Sequence, residues 1–172
     1  DMRDLLLAGA DKVSVNSAAL ANPELLVDAS ERFGSQCIVL AIDARLTKSD
    51  DSVLSAQKWE VFVSGGRENT GIDVLEWAER GVSLGAGEIL LTSMNTDGVM
   101  DGFDMELTHT VANLVNVPVI ASGGAGKASH FAKILGDGCA AAALAASVFH
   151  DKILTISEVK QFLSESGIAV RL

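Results

Sequence analysis

The stretch Val117-Pro118-Val119-Ile120-Ala121-Ser122-Gly123-Gly124-Ala125-Gly126-Lys127 decides the fold. Its first half is a short apolar run of strand type, and its second half is a glycine turn. A helical pattern through Phe131, Ile134 and Leu135 follows directly. Glycines in such a turn let the backbone approach a ligand and point N–H groups at it, and the helix start behind them favours an anion. The same string also serves as a tight turn with no ligand. It departs from the commoner nucleotide patterns. A Walker loop needs Gly where Ala121 stands and Ser or Thr where Ala128 stands, and G-x-G-x-x-G needs Gly or Ala at Ser129. A simple phosphate ester fits better than ATP or NAD.

Working outward, the strand–helix rhythm recurs. Lys12–Val15 reads as a strand after a helix that spans Met2–Ala8 and is closed by Gly9; the chain starts inside that helix, so a preceding segment is expected. Asn22-Pro23-Glu24 opens a helix with Leu25, Leu26, Ala29 and Phe33 on one face, ended by Gly34. Cys37–Ile42 is continuously apolar, as in a strand buried on both faces, and delivers Asp43 at its C-terminal end. The polar stretch Thr47–Thr70 holds one alternating segment, Trp59–Val63, suited to a hairpin, with Ser64-Gly65-Gly66 after it. A helix over Ile72–Leu84, a strand over Gly87–Thr92 and a turn at Asn95–Gly98 follow. Asp104 caps a helix carrying Leu107, Val111, Leu114 and Val115 on one face. Then come the quoted strand, a helix over Ala128–Leu135 and a last strand over Cys139–Ala145. Thr155-Ile156-Ser157-Glu158 reads as a capping box for a final helix with Val159, Phe162 and Leu163 inward.

Five main strands alternating with helices predict βαβ units, a parallel sheet and one α/β domain over 1–172 with no linker. Ligands in such sheets lie at the C-terminal strand ends. Those ends carry Asn16-Ser17, Asp43, Thr92 to Asp97, Ser122-Gly123-Gly124 and Ala146-Ser147, and Ser147–His150 suits a short extra helix beside a phosphate.

Composition narrows the function. A net charge of −10 with no basic stripe excludes nucleic acid as a general partner. The longest apolar run, Cys139–Phe149, falls short of the roughly 20 residues a membrane span takes, and no signal peptide opens the chain. Cys37 and Cys139 read as reduced core thiols of a cytoplasmic protein. His109, His130 and His150 have no ligand spacing and read as surface or packing residues, so no metal and no cofactor is expected. Trp59 and Trp77 read as packing residues.

Taken together, Gly9–Asn16, Ala41-Ile42-Asp43-Ala44, Gly85–Met94, Asp97-Gly98, Ile120–Gly126 and Ala145–His150 resemble the cyclase subunit of imidazole glycerol phosphate synthase, from histidine biosynthesis, along the whole chain. The ending Gly167–Leu172 is similar to that family's C-terminus. The resemblance implies an eight-stranded (βα)8 TIM barrel of which this chain supplies strands four to eight, a partial barrel of about five parallel strands. An acidic catalytic residue on strand one and the glycines of a second phosphate site would lie outside it.

The implied activity is a lyase-type cyclisation. Ammonia from a glutaminase partner is added to a phosphoribulosyl-formimino aminoimidazole ribonucleotide, giving imidazole glycerol phosphate and an aminoimidazole carboxamide ribotide. Asp43 matches a catalytic aspartate, and a carboxylate in a half-closed pocket suits proton shuttling. Thr92 and Asp97 match residues near the substrate's glycerol arm, and Gly98 beside them is counted with the substrate- or phosphate-binding residues. Ser122, Gly123, Gly124, Ala146 and Ser147 match a phosphate site, and Asn16 and Ser17 are similar to residues of the second one. Lys12 and Glu88 match two charges ringing the ammonia entrance, and Asp11 and Gln36 match the face that docks the glutaminase. Two other readings share these residues. One is a non-catalytic half-barrel that keeps a single phosphate site and self-associates through exposed sheet edges. The other is the isomerase one step earlier in the same pathway.

Overall fold

The computed structural model describes residues 2–47, 58–136 and 140–172. Cys139 and the middle of the Thr47–Thr70 stretch lie outside them. In chain order the elements are α1 (Met2–Leu7), β1 (Val13–Val15), α2 (Ser17–Ala21), α3 (Glu24–Phe33), β2 (Ile38–Thr47), β3 (Lys58–Val63), β4 (Glu68–Asp73) and α4 (Val74–Ser83). They continue with β5 (Glu88–Ser93), α5 (Met105–Leu114), β6 (Val119–Ser122), α6 (Ala128–Gly136), β7 (Ala142–Leu144), α7 (Ser147–His150) and α8 (Ile156–Glu165).

Strands β1, β2, β5, β6 and β7 are parallel and lie side by side in chain order. That order never reverses, as it would in a doubly wound sheet, so the chain winds in one direction as a (βα) barrel does. The architecture is a partial (βα)8 barrel of five parallel strands. To it β3 and β4 add an antiparallel hairpin, giving seven strands among the described residues. The hairpin takes over one edge of β2. Residues Ile38–Leu40 pair with β1, and Asp43–Thr47 pair with β3.

Side chains alternate between two faces of the sheet. Ile38, Leu40, Ile42, Ile89 and Leu91 point to the helices and are fully buried, each worth about 1.5–3 kcal/mol. They pack with Leu26 of α3, Trp77 and Ala78 of α4 and Leu107 and Val111 of α5. A second cluster joins Ala121 to Phe131 and Ile134 of α6, Val148 of α7 and Val159 and Leu163 of α8. Phe131 lies edge-on to Phe103 at 5.5 Å between ring centres.

The opposite face is the concave one. It is layered by register, with Ala41, Leu90, Ile120 and Ala142 in one row and Asp43, Thr92, Ser122 and Leu144 in the next. Ala41, Leu90 and Ile120 are only half-buried. The apolar run around β2 is therefore covered completely on its helix side alone.

Several expectations need correction. Strand β2 does not end at Asp43 but runs on to Thr47, because β3 folds back onto it above the point where β1 stops. The strand begins at Ile38, and Cys37 sits half-buried in a 3₁₀ turn. Residue Ile72 belongs to β4 rather than to a helix and is 37% exposed; α4 starts after Asp73, whose carboxylate accepts from the N–H groups of Leu75 and Glu76. Leu114 and Phe162 turn to solvent, each 38% exposed. Asp104 on Leu107 N–H and the Thr155–Glu158 capping box hold as read, whereas Asn22, expected to cap α3 with Pro23 in its first turn, ends α2 instead, and Pro23 takes the cap position of α3 with no side-chain bond. Both tryptophans are core residues, Trp59 and Trp77 alike.

Candidate functional site

The polar row at the C-terminal rim is where the sequence candidates meet. Asp43, Thr92 and Ser122 occupy successive registers on adjacent strands and share the concave face. The amide of Asn16, in the residue after β1, donates to Asp43 Oδ2 at 3.1 Å. Asn16 therefore joins Asp43 directly, a role the sequence reading did not give it, while Asn16 Oδ1 is enclosed without a partner. Ser17, next along, is exposed at the start of α2. Burial pushes the Asp43 carboxyl above its ordinary value; the Asn16 bond pulls it part of the way back, and the negative charge of Asp97 raises it further. A carboxyl held in this way gives up and regains a proton closer to neutrality than a solvated one does.

A cavity of about 60 Å³ lies beside that row. Asp97, Gly98, Ser122, Gly123, Gly124, Ala146 and Ser147 line it, together with Met100, Ala125, Leu144 and Ala145. Seven of the sequence candidates thus wall one small space. The backbone explains its chemistry. Gly123 and Gly124 adopt φ of +91° and +101°, a conformation that suits glycine. A Cβ on Gly123 would meet Ser93 O at 2.7 Å, and one on Gly124 would overlap the Gly102 carbonyl. The turn is packed tightly against the loop between β5 and α5. Gly123, Gly124 and Ala125 are buried in this turn, and Ala146 and Ser147 stand exposed at the start of α7. A glycine turn of this shape is suited to an anion.

The loop after β5 supports this wall. The N–H of Asp97 donates to Ser93 O at 3.0 Å, and Ser93 Oγ donates to the helix-capping Asp104 at 2.8 Å. Asn95 Oδ1 accepts from Leu46 N–H at 2.8 Å, tying that loop to the extended end of β2. Residue His130, read from sequence as surface or packing, has a specific bond instead: its Nδ1 accepts from Gly126 N–H at 3.1 Å. A His four residues past the last glycine of the run, in the first turn of a helix, was the available signal for it.

The opposite end of the sheet carries the other candidates. Lys12 precedes β1 and Glu88 opens β5. The Lys12 ammonium donates to Glu88 Oε1 at 2.6 Å and to the Gln36 carbonyl at 3.1 Å. Asp11 is exposed beside them. These four stand at the N-terminal strand ends, remote in the fold from the Asp43 row. No group of three or more His, Cys, Asp or Glu side chains among the described residues could hold a metal. No described helix is long and apolar enough to cross a membrane.

A singly wound parallel sheet with its helices packed on one face defines a (βα) barrel protein. Within that class the chain belongs to the histidine biosynthesis protein family, whose model matches residues 1–155. It is similar to the imidazole glycerol phosphate synthase subunit HisF of Clostridium botulinum strains Okra (Type B1), 657 (Type Ba4) and Kyoto (Type A2), at 55% identity over 172 residues in each case. All of this chain is covered by the match, and it spans 66% of the length of each relative.

Proposed function

We propose that the chain is the C-terminal part, strands four to eight, of a cyclase subunit of imidazole glycerol phosphate synthase, a lyase acting in histidine biosynthesis. The observation that carries this reading is the pairing of two features on one rim. A cavity built on the glycine turn shares the rim with a carboxyl whose proton affinity is raised by burial. The substrate is a phosphorylated, nucleotide-like molecule that spans the two. One of its phosphates sits on Gly123, Gly124, Ala146 and Ser147, and the hydroxyls of its glycerol-forming arm reach Asp97 and Thr92, a carboxylate and a hydroxyl suited to accept and donate hydrogen bonds. Asp43 moves protons as ammonia adds and the imidazole ring closes, with Asn16 holding its Oδ2 in place. Ser17 contributes to a second phosphate contact at the start of α2. Cofactor and metal play no part in this reading.

Ammonia enters from the opposite end. The face bearing Asp11, Lys12, Gln36 and Glu88 receives a glutaminase subunit, and the Lys12–Glu88 pair stands at the entrance. The test supplies ammonium at alkaline pH in place of the glutaminase and measures cyclase turnover on this chain and on Asp43→Asn. Turnover abolished in the variant supports the assignment; turnover that survives it refutes Asp43 as the proton carrier.

A second reading concerns assembly. Among the described residues β4 pairs only with β3; of the five parallel strands, β1 pairs only with β2 and β7 only with β6, so each of these two keeps an open edge. Apolar grooves of about 850 and 580 Å³ flank them, one containing Met2, Leu5 and Phe33, the other Phe149, Ile156 and Val170. Open edges beside apolar surface favour self-association. Light scattering after size exclusion is expected to give a homo-oligomer; a stable monomer at micromolar concentration contradicts this.

A further inference from the structure

The glycine turn after β6 lines the cavity, and groups outside the lining hold its backbone. Three bonds do this. The Gly123 carbonyl accepts from Thr96 Oγ1 at 3.1 Å, the Gly124 carbonyl accepts from Gly102 N–H at 2.8 Å, and Gly126 N–H donates to His130 Nδ1 at 3.1 Å. Two of the three come from side chains, one at each end of the turn. Neither Thr96 nor His130 lines the cavity.

We infer that Thr96 and His130 are positioning residues that brace the Gly123–Gly126 turn in its anion-accepting form. The inference rests on the phosphate reading above. A run of positive-φ glycines has many other conformations open to it, and most would turn the Gly123 and Gly124 N–H groups away from one another. Fixing the carbonyl at the entry and the N–H at the exit removes most of that freedom, so the ordering cost is met in the fold and not on binding. Thr96 does more than hold the turn. It lies next to Asp97 in the β5–α5 loop, so one hydroxyl sets the spacing between the phosphate cradle and the neighbouring carboxylate. His130 acts from the first turn of α6 and reaches back to a backbone N–H before the helix, as the glutamate of a capping box does. Accepting at Nδ1 places the ring proton on Nε2.

The two residues can be tested through pairs of substitutions that separate the bond from the bulk. In Thr96→Val the shape stays and the hydroxyl goes, whereas Thr96→Ser keeps the hydroxyl. The pair His130→Ala and His130→Asn works in the same way, since an Asn Oδ1 stands where the ring Nδ1 does. Inorganic phosphate is titrated into the full chain by calorimetry, and amide hydrogen exchange is followed at residues 123–126 without phosphate. Thr96→Val and His130→Ala are expected to weaken phosphate about three- to tenfold each, the loss of one hydrogen bond, and to speed exchange in the turn. Thr96→Ser and His130→Asn are expected to stay within about twofold of wild type. The bracing role is overturned if wild type binds phosphate and the two bond-deleting variants bind it equally well, or if the conservative variants lose as much as the deletions. Wild type that binds no phosphate refutes the phosphate site itself.

Discussion

The glycine turn makes the sharpest stability prediction, because two glycines that line the same cavity differ in what surrounds them. Gly98 has φ of +76° and no atom within 4 Å of the place a Cβ would take. Gly98→Ala therefore meets backbone strain alone, about 1 kcal/mol. Gly124 has φ of +101°, and its Cβ would overlap the Gly102 carbonyl and come within 2.9 Å of Thr96 Cβ. Gly124→Ala then adds about 1–3 kcal/mol of strain in a poorly populated region to the loss of the Gly102 N–H bond at about 1 kcal/mol. Displacement of the packed loop comes on top. The sum is about 3–5 kcal/mol. For a chain of this length each kcal/mol lowers Tm by roughly 2–4 °C, so thermal unfolding should fall by about 2–4 °C for Gly98→Ala and about 6–20 °C for Gly124→Ala. Urea unfolding gives the same comparison in free energy. Two variants within about 1 kcal/mol of each other would refute the argument that close packing against the β5–α5 loop, and not φ alone, requires glycine at 124.

Other perturbations follow from the same geometry. Asp43 is a half-buried acid with its proton affinity raised, so the protonated form is favoured in the fold and stability falls as pH rises from the unfolded value through the folded one. Asp43→Asn should accordingly raise Tm at pH 8, with the gain fading as pH is lowered toward about 4, the ordinary carboxylate range; a gain that grows on acidification contradicts the sign. Thr155→Ala removes the cap that accepts from Glu158 N–H at 3.2 Å and should cost about 1 kcal/mol in thermal unfolding. The Lys12–Glu88 pair is partly exposed, so Lys12→Met should change stability by less than about 1 kcal/mol, measured in a double-mutant cycle with Glu88→Gln. Leu107→Ala, at a fully buried helix position, should cost about 2–5 kcal/mol by urea unfolding.

The parallel strands and their helices were legible because their signals are local. The capping residues Asp104 and Thr155 start α5 and α8 where the sequence places them, and α6 opens at Ala128 as the apolar spacing requires. What sequence missed depends on tertiary contact. Strand β4 reads Glu-Asn-Thr-Gly-Ile-Asp, a poor strand by composition. It is extended because β3 templates it, with Thr70 Oγ1 donating to Val61 O at 2.7 Å and Asn69 donating to Glu60 at 2.7 Å. The helix boundary moved from Ile72 to Val74 for the same reason. Helix α2 is five residues of small and apolar type just before a proline, too short to show a period.

At the site the split is similar. Seven of the residues around the 60 Å³ cavity were readable because glycines and strand-end residues mark themselves along the chain, and Met100, Ala125, Leu144 and Ala145 were not among them. The Asn16–Asp43 bond and the His130 brace were not, since each joins elements through side-chain geometry that spacing does not encode.

The most direct test of the account is a crystal structure of this chain with imidazole glycerol phosphate bound. The account predicts the phosphate on the N–H groups of Gly123, Gly124, Ala146 and Ser147, the glycerol hydroxyls at Asp97 and the imidazole beside Asp43. A phosphate seated anywhere else, with that cavity empty, would contradict it.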